Sequence, residues 1–206
     1  GYFYPRYGFR NIGFRVALSS VSSVQIDKTG FVDEAKKIQD GKNYTLSLSD
    51  KVLDMVWIKP GTFMMGSPES EKNRSDDEIL HKVVLTKGFW LGKYEVTQAQ
   101  YEAVMGLNPS DFRGDSLPVD SVSWLEAIEF CGRLTAMEKK AGRLPEGDEY
   151  TLPTEAQWEY ACRAGTTTPL NNGKNVFPSA VDEVCWCGRE GSMTHTVGQK
   201  KPNAWG

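Results

Sequence analysis

Ser123 and Glu126, three residues apart, open the one stretch of this chain that keeps a long helical period. A serine with glutamate at the third following position can close a capping box, in which each side chain accepts from the other residue's backbone N–H. Trp124, Ala127, Ile128, Cys131 and Leu134 then fall at i, i+3, i+4, i+7 and i+10, predicting a helix with one core face. Two shorter helical signals flank it. Thr97 can cap Gln98 to Met105, halted by Gly106; Thr154, with Gln157 at the reciprocal position, can cap a helix that puts Trp158, Ala161 and Cys162 on one side and ends at Gly165. Most of the 206 residues are left to strands and loops.

The strand signals are short as well. Ile12 to Leu18 alternates as a strand does, and Tyr44, Leu46 and Leu48 alternate with Thr45, Ser47 and Ser49. A polar turn at Ser49-Asp50-Lys51 leads into Leu53 to Ile58, which predicts a hairpin, followed by a bend at Pro60-Gly61 and a strand from Gly61 to Met65. Val83 to Leu85 and Phe89 to Leu91 read as two more. Between the first strand and Tyr44, residues 21–42 read as a linker broken by Gly30 and Gly41, with a short helical possibility at Asp33 to Gln39. Residues 67–82 are charged and nearly devoid of apolar groups, hence a surface loop, and residues 165–206 should be loop-rich with a few short strands. The class is α+β.

Charge narrows the partners. With 24 basic and 27 acidic residues the net charge is -3, and the lysine pairs at 36–37, 139–140 and 200–201 read as solvated faces or loops, so nothing makes a case for nucleic acid or an anionic membrane. No run approaches the ~20 apolar residues of a membrane span. Four cysteines cannot staple a chain of this length. Cys185 and Cys187, in Cys-Trp-Cys, are half a metal site at most, while Cys131 sits on the apolar helix face as a small hydrophobe. The acidic run Glu69, Glu71, Asp76, Asp77 and Glu78 fits no calcium-loop spacing and reads as solvated charge. His81 and His195 are the only histidines, and no Ser-His-Asp set or phosphate loop appears.

Six strings, in order across residues 58–206, resemble one family. They are Ile58-Lys59-Pro60-Gly61-Thr62-Phe63-Met64-Met65-Gly66-Ser67, Gly92-Lys93-Tyr94-Glu95-Val96-Thr97, Asn108-Pro109-Ser110, Leu117-Pro118-Val119-Asp120-Ser121-Val122-Ser123-Trp124, Leu152-Pro153-Thr154-Glu155-Ala156-Gln157-Trp158-Glu159-Tyr160-Ala161, and Val197-Gly198-Gln199-Lys200-Lys201-Pro202-Asn203-Ala204-Trp205-Gly206. Together they resemble the formylglycine-generating enzyme, or sulfatase-modifying factor, domains. The resemblance implies a loop-rich α+β fold related to C-type lectins, incomplete here at the C-terminus. Domains of this family end in a Gly-Phe-Arg-Val strand, and here that string, Gly13 to Val16, comes first. It implies either tandem copies or a circular permutation. On the tandem reading, which is preferred, residues 1–20 are the last strand of a preceding copy, 21–42 a linker, and 43–206 the first two-thirds of the next copy. The orphan strand at residues 12–18 is then expected to pair with the hairpin near residues 55–63.

Family members with full activity are copper-dependent oxidases that convert a sulfatase cysteine to formylglycine, using a cysteine pair late in the domain. Cys185 and Cys187 come too early in the motif order to be that pair, so no catalytic, cofactor-binding or metal residue is assigned, and this stretch is expected to be inactive. Iron-dependent relatives use three histidines, which two cannot supply. Cys131 and Cys162 occupy positions that form disulfides in some members; with Val16 after Arg15, Cys131 is read as reduced and buried and Cys162 is left open. Calcium is common in the fold. One such site resembles the stretch at Val184-Cys185-Trp186, where Val184 replaces a frequent asparagine. Trp186 and Trp205 are candidates to line a groove, and the remaining tryptophans are read as core or motif anchors. The resemblance implies a parent acting on a peptide or protein cysteine, with copper and calcium in the full domain; the alternative is a non-catalytic, lectin-like ligand-binding module. Bacterial proteins of this type are often exported or periplasmic, and the sequence itself assigns no compartment.

Overall fold

The computed structural model describes residues 13–20, 38–72, 74–174, 180–186 and 193–206. Seven strands and three helices follow in the order β1 (Ala17–Ser20), β2 (Tyr44–Leu48), β3 (Lys51–Ile58), β4 (Gly61–Met65), β5 (His81–Leu85), β6 (Phe89–Gly92), α1 (Gln98–Met105), α2 (Trp124–Lys140), β7 (Asp148–Thr151) and α3 (Glu155–Arg163). Five strands form one sheet in the order β2-β3-β6-β1-β7, and β4 and β5 form a separate ribbon. The possible helix at residues 33–39 falls almost wholly outside the described residues.

The β2-β3 hairpin matches its alternation: Leu46 and Leu48 are buried between exposed Thr45 and Ser47, and the register runs from Tyr44↔Met55 to Leu48↔Lys51. Ser49 turns the chain with φ +58°. The ribbon pairs Gly61↔Leu85 through Met65↔His81.

The first strand does not join the hairpin. β1 lies between β6 and β7, pairing Ala17↔Leu91 and Leu18↔Trp90 on one side and Ala17↔Thr151 through Ser20↔Asp148 on the other. Burial explains the choice. Val16, Ala17 and Leu18 are all 0% exposed, and a continuous apolar run covered on both faces suits a central strand, not an edge beside β2. β7 itself is not visible in the sequence, because Asp148-Glu149-Tyr150-Thr151 has no strong strand pattern; it forms because β1 offers a ladder and Thr135 Oγ1 accepts from Tyr150 N at 2.9 Å.

All three helices are capped as read, with capping boxes at Thr97/Gln100, Ser123/Glu126 and Thr154/Gln157. The core face of α2 differs from the expectation. Its buried stripe is Ala127, Phe130, Cys131, Leu134 and Glu138, whereas Trp124 is 68% and Ile128 37% exposed. Phe130 is selected because Tyr101 of α1 stacks on it at 5.5 Å and Phe14 meets it edge-on at 5.4 Å. The helix runs on to Lys140 beyond the apolar period because buried Glu138 is held by Arg143.

One core cluster lies between the sheet and α1/α2, and a second joins Ala17, Ile58, Phe89, Leu91, Tyr160 and Ala161 on the α3 side. Beyond residue 165 the described residues form no strand, contrary to the expectation of a few. Side chains take up backbone groups there instead, as when Asn172 Nδ2 donates to Ala180 O at 3.2 Å. No helix among the described residues is long and apolar enough to cross a membrane.

Candidate functional site

The recurring strings prove to be devices that pin loops. Gln98, 1% exposed at the head of α1, donates to the carbonyls of Phe112 (2.8 Å) and Pro118 (3.3 Å) and accepts from Asn108 Nδ2 (3.0 Å) and Gly114 N (3.2 Å). Asn108 Oδ1 receives Ser110 N, and Ser110 Oγ receives Asp120 N, so the Asn-Pro-Ser string and the Leu-Pro-Val-Asp string close one network. Asp120 Oδ1 completes it by accepting from Asp111 N at 2.8 Å.

A second group gathers on α3. Glu159 and Arg163 are ion-paired at 2.8 Å with side chains only 5% and 10% exposed. Their partner is the backbone of Gly66, at the end of β4, which has φ +97° and where a Cβ would lie 2.4 Å from Ile79 O. Only glycine fits that close, left-handed position. From here the charged loop begins. Ser67 Oγ donates to Glu78 Oε2 at 2.7 Å, and Arg74 Nε donates to Ser67 Oγ at 3.2 Å. Glu69, Asp76 and Asp77 are exposed, as solvated charge should be; Glu78 instead closes the base of the loop.

The C-terminal string folds back over these elements. Asn203 Nδ2 donates to the carbonyls of Ala161 (2.8 Å) and Cys162 (3.1 Å) at the end of α3, and Trp205 meets Tyr160 edge-on at 4.9 Å. Trp205 is thus a packing anchor, not a groove wall. Gly198, at φ +74°, passes so near Tyr94 that a Cβ would sit 2.6 Å from its ring. Trp158, Glu159, Cys162, Arg163, Thr168, Pro169 and Asn171 surround a shallow hollow open to solvent.

Trp186 forms the other feature of this side. His195 stacks on its ring at 3.8 Å with the planes 15° apart, and Lys200 Nζ lies 3.4 Å from the ring centre. Lys200 also donates to Asp182 O at 2.7 Å, and Lys201 pairs with Glu183 at 3.2 Å. This lysine pair lies in a loop, in keeping with a solvated face or loop, and also ties that loop together. Hydrogen bonds from Lys174 and Lys201 hold the Glu183 carboxyl below the ordinary glutamate range. His81 stands apart on β5, with Nδ1 2.8 Å from Ile79 O.

Among the described residues, the stretch at Val184 does not supply the side-chain oxygens of the calcium site it resembles. Val184 offers no side-chain oxygen and packs with Cys185 on Leu170, Ala180 and Val181, and both Glu183 oxygens are engaged by lysines. Among the described residues no three His, Cys, Asp or Glu side chains converge. Cys131 and Cys162 are free thiols on different helices. Burial pushes the Cys131 thiol up to about 12 and raises that of Cys162, so neither supplies a thiolate at neutral pH. Cys187 lies outside the described residues. Sequence reading missed Gln98, Asp120, Glu159 and Arg163 as structural centres; the only signal was that each sits in, or beside, one of the quoted strings.

Residues 45–206 match the family described as Sulfatase-modifying factor enzyme 1-like domain. The chain is 33% identical over 159 residues to the "Chaperone protein LppX" of Paenibacillus barcinonensis, covering 65% of this chain and 52% of that protein. To the formylglycine-generating enzyme of Mus musculus it is 27% identical over 197 residues, covering 94% of this chain and 37% of the enzyme. It therefore spans about half the length of the first relative and little over a third of the second. Treponema denticola variable protein 1 superposes with a TM-score of 0.65 at 27% identity, covering 79% of this chain and 71% of that one. PvdO from Pseudomonas aeruginosa does so at 0.61 and 25%, covering 82% and 70%. On the match across residues 45–206 and the shared C-type-lectin-like fold, the chain belongs to the sulfatase-modifying factor (formylglycine-generating enzyme) domain family.

Proposed function

We propose that this chain is the scaffold portion of a sulfatase-modifying-factor protein that oxidises the cysteine of an extended peptide to formylglycine, and that the residues described here do not perform that oxidation. The supporting observation is the placement of the thiols. Cys131 lies inside the first core cluster and Cys162 beside the hollow on α3, both protonated at neutral pH. A soft Cu(I) ion calls for two converging thiolates, and these two are thiols on different helices, one in the core cluster and one beside the hollow. In this reading copper and calcium belong to the complete domain. The tandem arrangement is part of the proposal: β1 comes from a preceding copy, residues 21–42 join the copies, and β1 completes the sheet of the body that follows.

A second reading is a non-catalytic, lectin-like module. It is favoured by Trp186, 40% exposed and flanked by His195 and Lys200 on a surface built of loops, and by a relative whose name is that of a chaperone. Fold alone does not choose between the two. The test is incubation of the purified 206-residue chain with a cysteine-containing sulfatase peptide, Cu(I) and dioxygen, followed by hydrazide capture of any aldehyde. No aldehyde is expected from this chain, and turnover would refute the scaffold reading. Aldehyde formed by the parent protein supports the oxidase; peptide binding without aldehyde, by the parent as well, supports the module.

A further inference from the structure

Among the described residues, residues 13–20 meet the rest of the molecule through partners distant in sequence. β1 is laddered to β6 on one side and to β7 on the other. Upstream of it, Val16 O accepts from Gly92 N and Phe14 O from Val96 N, both at 2.8 Å, and Arg15 reaches Glu95 at 3.4 Å. Phe14 fits edge-on against Tyr101 and Phe130. The slot that takes this segment is therefore built by residues that follow the connection: residues 89–151 supply both ladders and the aromatic seat, Ile58, Tyr160 and Ala161 share a core cluster with Ala17, and Gln157 donates to Ser19. It reads an extended strand through main-chain ladders on both sides and through buried positions for Val16, Ala17 and Leu18, which is the recognition used in strand addition. Nothing in that geometry depends on which chain delivers the strand.

Twenty-three residues lie between Ser20 and Tyr44. Covalent geometry lets that many reach up to ~75 Å, whereas β1 and β2, three places apart in the sheet, are separated by only ~14 Å. The connection can therefore serve either its own slot or a neighbour's. We propose that the β6–β7 slot is a strand-accepting site and that a second copy of this chain fills it with its own residues 13–20, giving a reciprocal strand-exchanged dimer. A strand tethered within its own chain competes at an effective concentration in the millimolar range (~1 mM). Exchange therefore sets in when chains fold together near that concentration, and it needs no new contact. The inference stands apart from the oxidase and module readings, since neither activity enters it.

The opposed pair Ser19↔Glu149 gives the test. Ser19 is half-buried and Glu149 exposed, so cysteines there leave the core intact. Full-length Ser19→Cys and Glu149→Cys chains are unfolded together, refolded at ~10 μM and at ~1 mM, oxidised, and the linked peptides identified by mass spectrometry. A 19-to-149 link between the two chains is expected, rising by at least about tenfold from the dilute to the concentrated sample. The Ser19→Cys/Glu149→Cys double variant, refolded dilute, should close the same link within one chain. Absence of the interchain link at ~1 mM while the double variant closes overturns the proposal. Failure of the double variant to close overturns it too, by removing the register on which it stands.

Discussion

Glu159 and Arg163, one turn apart on α3, hold both backbone groups of Gly66 between them: Glu159 Oε1 accepts the Gly66 N–H at 3.1 Å, and Arg163 Nη2 donates to Gly66 O at 2.8 Å. A helix is thereby locked to the end of the β4-β5 ribbon across 93 residues of sequence. The 67–80 loop hangs from this junction.

Removing one member should therefore be costly. Glu159→Ala leaves a buried guanidinium uncompensated, and breaking such a pair costs about 3 to 5 kcal/mol. The urea midpoint should fall accordingly, and protease should cut within residues 67–80 before it cuts elsewhere. Glu159→Ala/Arg163→Leu should recover part of the loss, because no charge is then left buried.

Gln98 is the second such junction, with a polar side chain in place of a charged one. Gln98→Ala would orphan the Phe112 and Pro118 carbonyls and the Gly114 N–H. At about 1 to 3 kcal/mol for a buried polar group left unpaired, the loss should be about 3 kcal/mol in equilibrium unfolding, with increased amide exchange in residues 108–118. Substitution of exposed Gln199 serves as the control and should change nothing measurable.

What could be read from the sequence was local. Ser123/Glu126 and Thr154/Gln157 announce their helices because capping involves residues three apart, and Leu46/Leu48 announce a strand because alternation repeats at two. What escaped was the order in which distant segments meet. Local pattern sets β1 beside the hairpin, whereas it fits between β6 and β7, because its partners Trp90 and Tyr150 lie 72 and 132 residues from Leu18. β7 escaped because its stability comes from that neighbour and from Thr135. At the candidate site the strings were legible as a family pattern, yet the roles of Gln98, Glu159 and Arg163 emerge only once loops and helix ends are brought together.

The turned face of α2 gives a direct comparison between pattern and packing. Trp124 satisfies the helical period but is 68% exposed, whereas Phe130 is 0% exposed. Trp124→Gln should shift stability by less than about 1 kcal/mol. Phe130→Ala should remove about 3 to 5 kcal/mol, since it deletes a buried ring and leaves a cavity between Tyr101 and Phe14. Chemical denaturation of the two variants side by side decides whether the stripe runs as the structure places it.

Cys131 links burial to pH. Its thiol is raised from an ordinary value near 9 to about 12, and the first cause is burial in the core under α2. A folded-state value above the unfolded one means that the unfolded chain releases this proton first. The stabilisation from a neutral buried thiol is thus complete below about pH 9 and declines as pH rises towards 12. Wild type and Cys131→Ala should differ in unfolding free energy by a constant amount from pH 6 to about 8, and the difference should shrink at pH 10. Cys162 titrates upward as well, but it is common to both proteins and cancels. A thiol reagent gives the kinetic counterpart: Cys131 should react at the rate of global opening, and a fast reaction in the folded protein at pH 8 would mean that the thiol is not enclosed as the structure shows.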